Sequence, residues 1–169
     1  GTIGGNVTVA SGGTITPAEA EAGTLEIEGD TELSGDFLFQ IDGNTGADLL
    51  EVTGEVTLGG TLTLSETVNG GADPGTAIIL ISNDDTDAVQ GVFSNVAEGD
   101  VVTVGTTDYR LFYSGGDGND VVLVENTIPT VVYVDDDWAG SSDGTTFADA
   151  DLGTTGDQFA VFGVNAFST

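Results

Sequence analysis

Any chemistry this chain performs must come from carboxylates, amides and hydroxyls. Its 169 residues hold 29 Asp and Glu and one basic residue, Arg110, with no Cys and no His. Thiol nucleophiles, Ser-His-Asp relays, Lys Schiff bases and zinc sites of the usual Cys/His type are therefore excluded. Oxygen donors remain, and they suit hard cations. One such arrangement lies within DYRLFYSGGDGNDVVLVEN, Asp108 to Asn126. Gly115, Gly116, Asp117, Gly118, Asn119 and Asp120 fit G-G-x-G-x-D, with Val122 at the apolar position that follows. In tandem copies such turns hold Ca2+ between adjacent coils, which makes Asp117, Asn119 and Asp120 candidate ligands. A single copy between apolar strands also reads as a plain hairpin turn. In that case glycine supplies positive φ, and Asn or Asp bonds the local backbone.

A second cluster is VDDDW, where Asp135, Asp136 and Asp137 follow a strand. Adjacent carboxylates repel and a cation would relieve them. The alternative is that they are solvated, with Trp138 as the hydrophobic anchor. Looser matches are Asp42, Asn44 and Asp48 in DGNTGAD, and NDDTD from Asn83 to Asp87. Both lack the distal Glu and flanking helices of an EF-hand and read as loops between coils. Two-carboxylate glycoside cleavage is the chemistry conceivable for such a set of side chains. Acids are so abundant that no pair stands out, so the expectation is a protein that is not an enzyme. Asn6-Val7-Thr8 matches a glycosylation acceptor, a tripeptide too common to carry weight.

The elements that must position these groups are strands. Apolar and polar residues alternate in short bursts punctuated by glycine, and no 3.6-residue stripe of useful length occurs. TPAEAEAG, Thr16 to Gly23, could open a helical turn but reads better as a surface loop. The bursts recur: LEIEGDTELSGDFLF superposes on LEVTGEVTLGGTLTL at an offset of 25 residues. Leu25 falls on Leu50, Ile27 on Val52, Leu33 on Leu58, Phe37 on Leu62 and Phe39 on Leu64. Gly29 and Gly35 fall on Gly54 and Gly60. Val7, Val9 and Ile15 form an earlier copy. Short strands with glycine corners at such a period predict a β-solenoid, each coil burying its apolar row against the next. An irregular β-sandwich would alternate too, but would not keep apolar and glycine positions at one offset. The offset also stacks Glu26 on Glu51 and Asp30 on Glu55, like charges that destabilise a sheet unless cations or water intervene.

The predicted fold is therefore all-β. Solenoid coils occupy residues 1–73 and an antiparallel β cap residues 74–127. A linker and C-terminal extension over 128–169 contains the isolated strand TVVYV. The cap begins after Pro74 with the continuous apolar run TAIILIS, typical of a strand buried on both faces. A boundary is expected at NTIPT, Asn126 to Thr130. Beginning at Gly1 without a signal peptide and stopping at DQFAVFGVNAFST, the chain reads as a piece of a larger architecture.

The net charge of −28 sets limits on partners. Nucleic acid and anionic membrane surfaces would be repelled, because their affinity comes from Lys and Arg. No apolar run reaches the length of a membrane span. Such a charge keeps a chain soluble yet strains its compact state, so a saline or calcium-containing medium is expected.

Together, the VTGEVTLGGTLTL coil and the GGDGNDVVL hairpin resemble β-helical repeat regions of large secreted bacterial surface proteins, autotransporter-passenger-like or adhesin-like. The resemblance covers Gly1 to Thr127. The tail VYVDDDWAG to FGVNAF looks like the start of a further β-helix, without the coils that would let any activity be carried over. The resemblance implies an extracellular, cell-surface stalk or scaffold that self-associates as an oligomer or filament through its end coils or C-terminal strand. Two alternatives stand beside it. One is a calcium-responsive adhesin that binds surface carbohydrate, with Ca2+ as its cofactor. The other is a non-catalytic spacer of a secreted polysaccharide-degrading enzyme.

Overall fold

Alternation and glycine corners shape residues 1–42 and 46–68 into stacked layers. The computed structural model describes residues 1–42, 46–68, 77–84, 87–126, 132–147 and 160–168. The first layer comprises β1 (Thr2–Ile3), β2 (Val7–Val9) and β3 (Thr14–Ile15). The second comprises β4 (Thr24–Ile27), β5 (Thr31–Leu33) and β6 (Asp36–Asp42), with β7 (Gly46–Ala47) folded back on β6. The third comprises β8 (Leu49–Val52), β9 (Val56–Leu58) and β10 (Thr61–Val68). Each strand pairs in parallel with its counterpart in the next layer, giving β1-β4-β8, β2-β5-β9 and β3-β6-β10.

The register between the second and third layers is the one read from the sequence: Leu25↔Leu50, Ile27↔Val52, Leu33↔Leu58, Phe37↔Leu62 and Phe39↔Leu64. The first layer joins the same columns through Val9↔Leu33 and Ile15↔Phe37. Alternate side chains point inward, so Ile27, Leu33, Phe37, Phe39, Leu50, Val52, Val56 and Leu58 fill one core. The corners explain the coincident glycines. A Cβ on Gly54 would lie 2.6 Å from the Gly29 carbonyl carbon, and one on Gly60 would strike the Gly35 carbonyl oxygen. Residues 16–23 are loop.

Beyond the third layer the direction changes. The strand β11 (Ala77–Asn83) adds in parallel to β8, then takes β15 (Asp120–Glu125) antiparallel on its other side. The strands β14 (Thr107–Gly115) and β13 (Val101–Val104) complete this seven-stranded sheet. The short β12 (Gln90–Gly91) pairs with β9. Phe93 enters the core against Phe37, with ring centroids 6.0 Å apart. Asn95 then satisfies the β10 edge at one residue: its Oδ1 accepts from Leu62 N and its Nδ2 donates to Leu62 O, both at 2.9 Å.

The distal half of the large sheet is covered on its second face as well. Phe112, Val122 and Val124 form a separate buried cluster with Val161, and Val164 packs against it. Val161 belongs to β18 (Ala160–Val161), which pairs with β17 (Thr146–Phe147). The strand within the segment TVVYV is paired, contrary to its reading as isolated. Within it β16 (Tyr133–Val134) runs parallel to β19 (Ala166–Phe167). The all-β expectation holds. The sheets mix parallel and antiparallel strands, and they do not close into a solenoid.

Candidate functional site

The G-G-x-G-x-D turn joins β14 to β15. Gly116 and Gly118 take φ of 61° and 117°, and Gly118 N donates to Gly115 O at 2.8 Å. Hairpin geometry thus accounts for the glycines. It does not account for the polar residues, which divide sharply: Asp117 is exposed, whereas Asn119 and Asp120 are buried.

Asp120 and Asn119 face the end of β11. Asp120 Oδ1 accepts from Asn83 N at 2.9 Å. Asn119 Nδ2 donates to Asp84 O at 2.6 Å, and Asn83 Nδ2 donates to Asp87 O. Burial pushes the Asp120 carboxyl up to about 6; the Asn83 N–H opposes the shift and Asp117 adds to it. Asn83 emerges as part of this cluster although its sequence reading was a loop position. The available signal was a polar triplet, Asn-Asp-Asp, directly after an apolar strand. Asp85 and Thr86 of NDDTD lie outside the described residues.

The Asp135, Asp136 and Asp137 triad is brought together, each offering an oxygen within 4.8 Å of the others. Local structure explains the grouping. Asp135 caps a 3-10 turn over Asp136–Trp138, its Oδ1 accepting from Asp137 N at 2.9 Å, and the other two acids occupy the first turn. Trp138, half-buried, stacks on Phe147 with ring centroids 4.4 Å apart.

In DGNTGAD, Asp48 is fully buried, and its carboxylate accepts from Gly23 N and Gln40 N, each at 2.9 Å. Burial raises its pKa against those two bonds. It staples neighbouring segments of the stack. Asp42 is also buried, and Asn44 lies outside the described residues.

Of the two stacked acid pairs, Glu26↔Glu51 is a direct register pair. Asp30 behaves differently. Its Oδ1 accepts from Glu55 N at 3.2 Å and its Oδ2 accepts from Asn6 Nδ2 at 3.1 Å, so this acid bridges three layers. These residues line a shallow acidic groove of about 350 Å³ with Thr8, Glu32 and Thr57. No helix of the described residues is long and apolar enough to cross a membrane. No family model matches the chain, and neither a curated protein nor a solved structure shows significant similarity to it.

Proposed function

We propose that the chain is a non-enzymatic structural module, a short stack of parallel β layers that joins a second copy through its open end. The observation that carries this reading is the asymmetry of the edges. The strands β1, β2 and β3 are each outermost in their sheets among the described residues. Gly1 O and Ile3 O accept from Glu26 N and Glu28 N, while Val7 N donates to Asp30 O and Ser34 N to Val9 O. In a parallel ladder, backbone groups of alternate residues bond to opposite sides. Those of Thr2 and Thr8 therefore face outward, ready for a further strand. Ile3, 40% exposed, adds apolar area at the same end.

The opposite end offers no matching layer: one sheet turns antiparallel, one ends on a two-residue strand, and on the third the Asn95 amide occupies the Leu62 position of the edge strand. Strand addition fits a stalk or scaffold role, and the resemblance of the coil and hairpin sequences to β-helical surface proteins supports an extracellular one. Sedimentation equilibrium over a salt series tests the reading. Association is expected to strengthen with salt, which screens the −28 charge of each copy. Thr2→Pro with Thr8→Pro removes two outward N–H donors and should leave monomers. A wild-type chain that stays monomeric at every concentration and salt level overturns the proposal.

A further inference from the structure

The ends of β11 and β15 leave two buried oxygens unaccounted for. Asn83 and Asn119 are 5% and 7% exposed, and each commits its Nδ2 to a backbone carbonyl, of Asp87 and Asp84 respectively. Those bonds fix the amide orientations, because a flip would set oxygen against oxygen. Both Oδ1 atoms are then without a hydrogen-bond partner among the described residues. Leaving a buried acceptor unpaired carries a desolvation penalty that native folds rarely tolerate without a ligand or ordered water.

Register brings the two together. Ile81 pairs with Val121 in the antiparallel ladder. Continued two residues along each strand, that register sets Asn83 across from Asn119, whose Nδ2 reaches the carbonyl of Asp84, the residue next to Asn83. Asp120, 5% exposed, is tied to the same point by its bond from Asn83 N. Asp84, Asp87 and Asp117 stand exposed around it. The single basic side chain lies elsewhere, with Arg110 donating to Asn126 Oδ1 and Gly99 O. A bridging water could satisfy two acceptors, but it would leave the acids around it uncompensated. Amide and carboxylate oxygens held by short loops are the donor set of Ca2+, whereas Mg2+ keeps more of its own water.

We propose that Asn83 Oδ1, Asn119 Oδ1 and the Asp120 carboxylate bind a calcium-type divalent cation at the junction of β11 and the β14–β15 turn. The site is distinct from the Asp135, Asp136 and Asp137 cap. It fastens the end of β11 to the β14–β15 hairpin, and it does not depend on self-association.

Calorimetric titration of the chelator-stripped chain with CaCl2, paired with thermal melts in calcium and in EGTA, tests the proposal. The expected result is one cation per chain and a higher Tm in calcium. Asn119→Ala and Asp120→Asn should each weaken binding by about tenfold or more. The triple variant Asp135→Asn, Asp136→Asn, Asp137→Asn should titrate like the wild type. Should the first two fail to fold, Asn119→Asp decides. A carboxylate at that donor position should tighten calcium binding and lower the Tm in EGTA. A silent wild-type titration, binding abolished by the triple variant, or no gain in affinity for Asn119→Asp overturns the proposal, the last leaving a buried water in its place.

Discussion

The parallel stack and the antiparallel cap are built from similar residues by opposite logics. In the stack, each column repeats one kind of side chain through successive layers, as in Val9, Leu33 and Leu58. Glycine lets the corners touch, so every layer is a copy of its neighbour. In the cap, no column repeats. It closes through single polar groups used once: the Asn95 amide on Leu62, and Tyr113 OH, which accepts from Phe93 N at 3.0 Å and donates to Val96 O at 2.7 Å. Burial pushes that hydroxyl up to about 12, with Glu98 and Asp100 adding to the shift against the Phe93 bond, so it stays a donor throughout the physiological range. Repetition makes a region extensible, and unique contacts make it terminal.

Substitutions can break this contrast. The largest effect is expected at Phe37, fully buried in the column of Ile15 and Leu62 and stacked on Phe93 of the cap. Phe37→Ala should cost about 3–5 kcal/mol in denaturant unfolding. Next comes a matched pair of corner glycines. Gly60→Ala, which drives a methyl into Gly35 O, should cost about 1–3 kcal/mol, whereas Gly59→Ala, with open space around it, should be nearly neutral.

A pH series on the chelator-stripped chain probes the cap hinge. Asp120 titrates near 6 in the folded chain but near 3.9 when unfolded, so folding binds its proton more tightly. Its contribution is full below about pH 4 and is lost as pH rises through about 6, on the order of 2 kcal/mol. Burial also raises Asp48 and Glu98. The measurement is therefore the difference between wild type and Asp120→Asn, whose stability profile should be flatter over that window. Asn95→Ala exposes the Leu62 backbone groups to water and should cost about 1 kcal/mol. The smallest effect belongs to the stack surface. Glu51→Gln removes the like-charge neighbour of Glu26 and should stabilise by about 0.2–1 kcal/mol, less at high salt.

Much of the stack was legible in the sequence because its information is periodic. Aligning Leu25 with Leu50 and Gly35 with Gly60 requires no knowledge of any distant partner. The acid pairs show where that legibility stops. The offset places Glu26 beside Glu51 and Asp30 beside Glu55, but not that Asp30 turns to accept the Glu55 N–H. The cap could be read as strands and a hairpin, yet Asn95 on Leu62 is a contact between single residues far apart in the chain. No pattern announces it. The same holds for the tail: Val161 covering Phe112 and Val122 is a tertiary match that alternation alone cannot supply. In the turn, spacing singled out Asp117, Asn119 and Asp120 as equals. Strand register then buried two of them beside Asn83 and left Asp117 in water.

Under the proposed self-association, the difference between the two ends has a stoichiometric consequence. Copies that join only through β1, β2 and β3 would meet face to face, and the union would use up the sticky surface of both. Growth would then halt at a pair with twofold symmetry rather than run on as a thread.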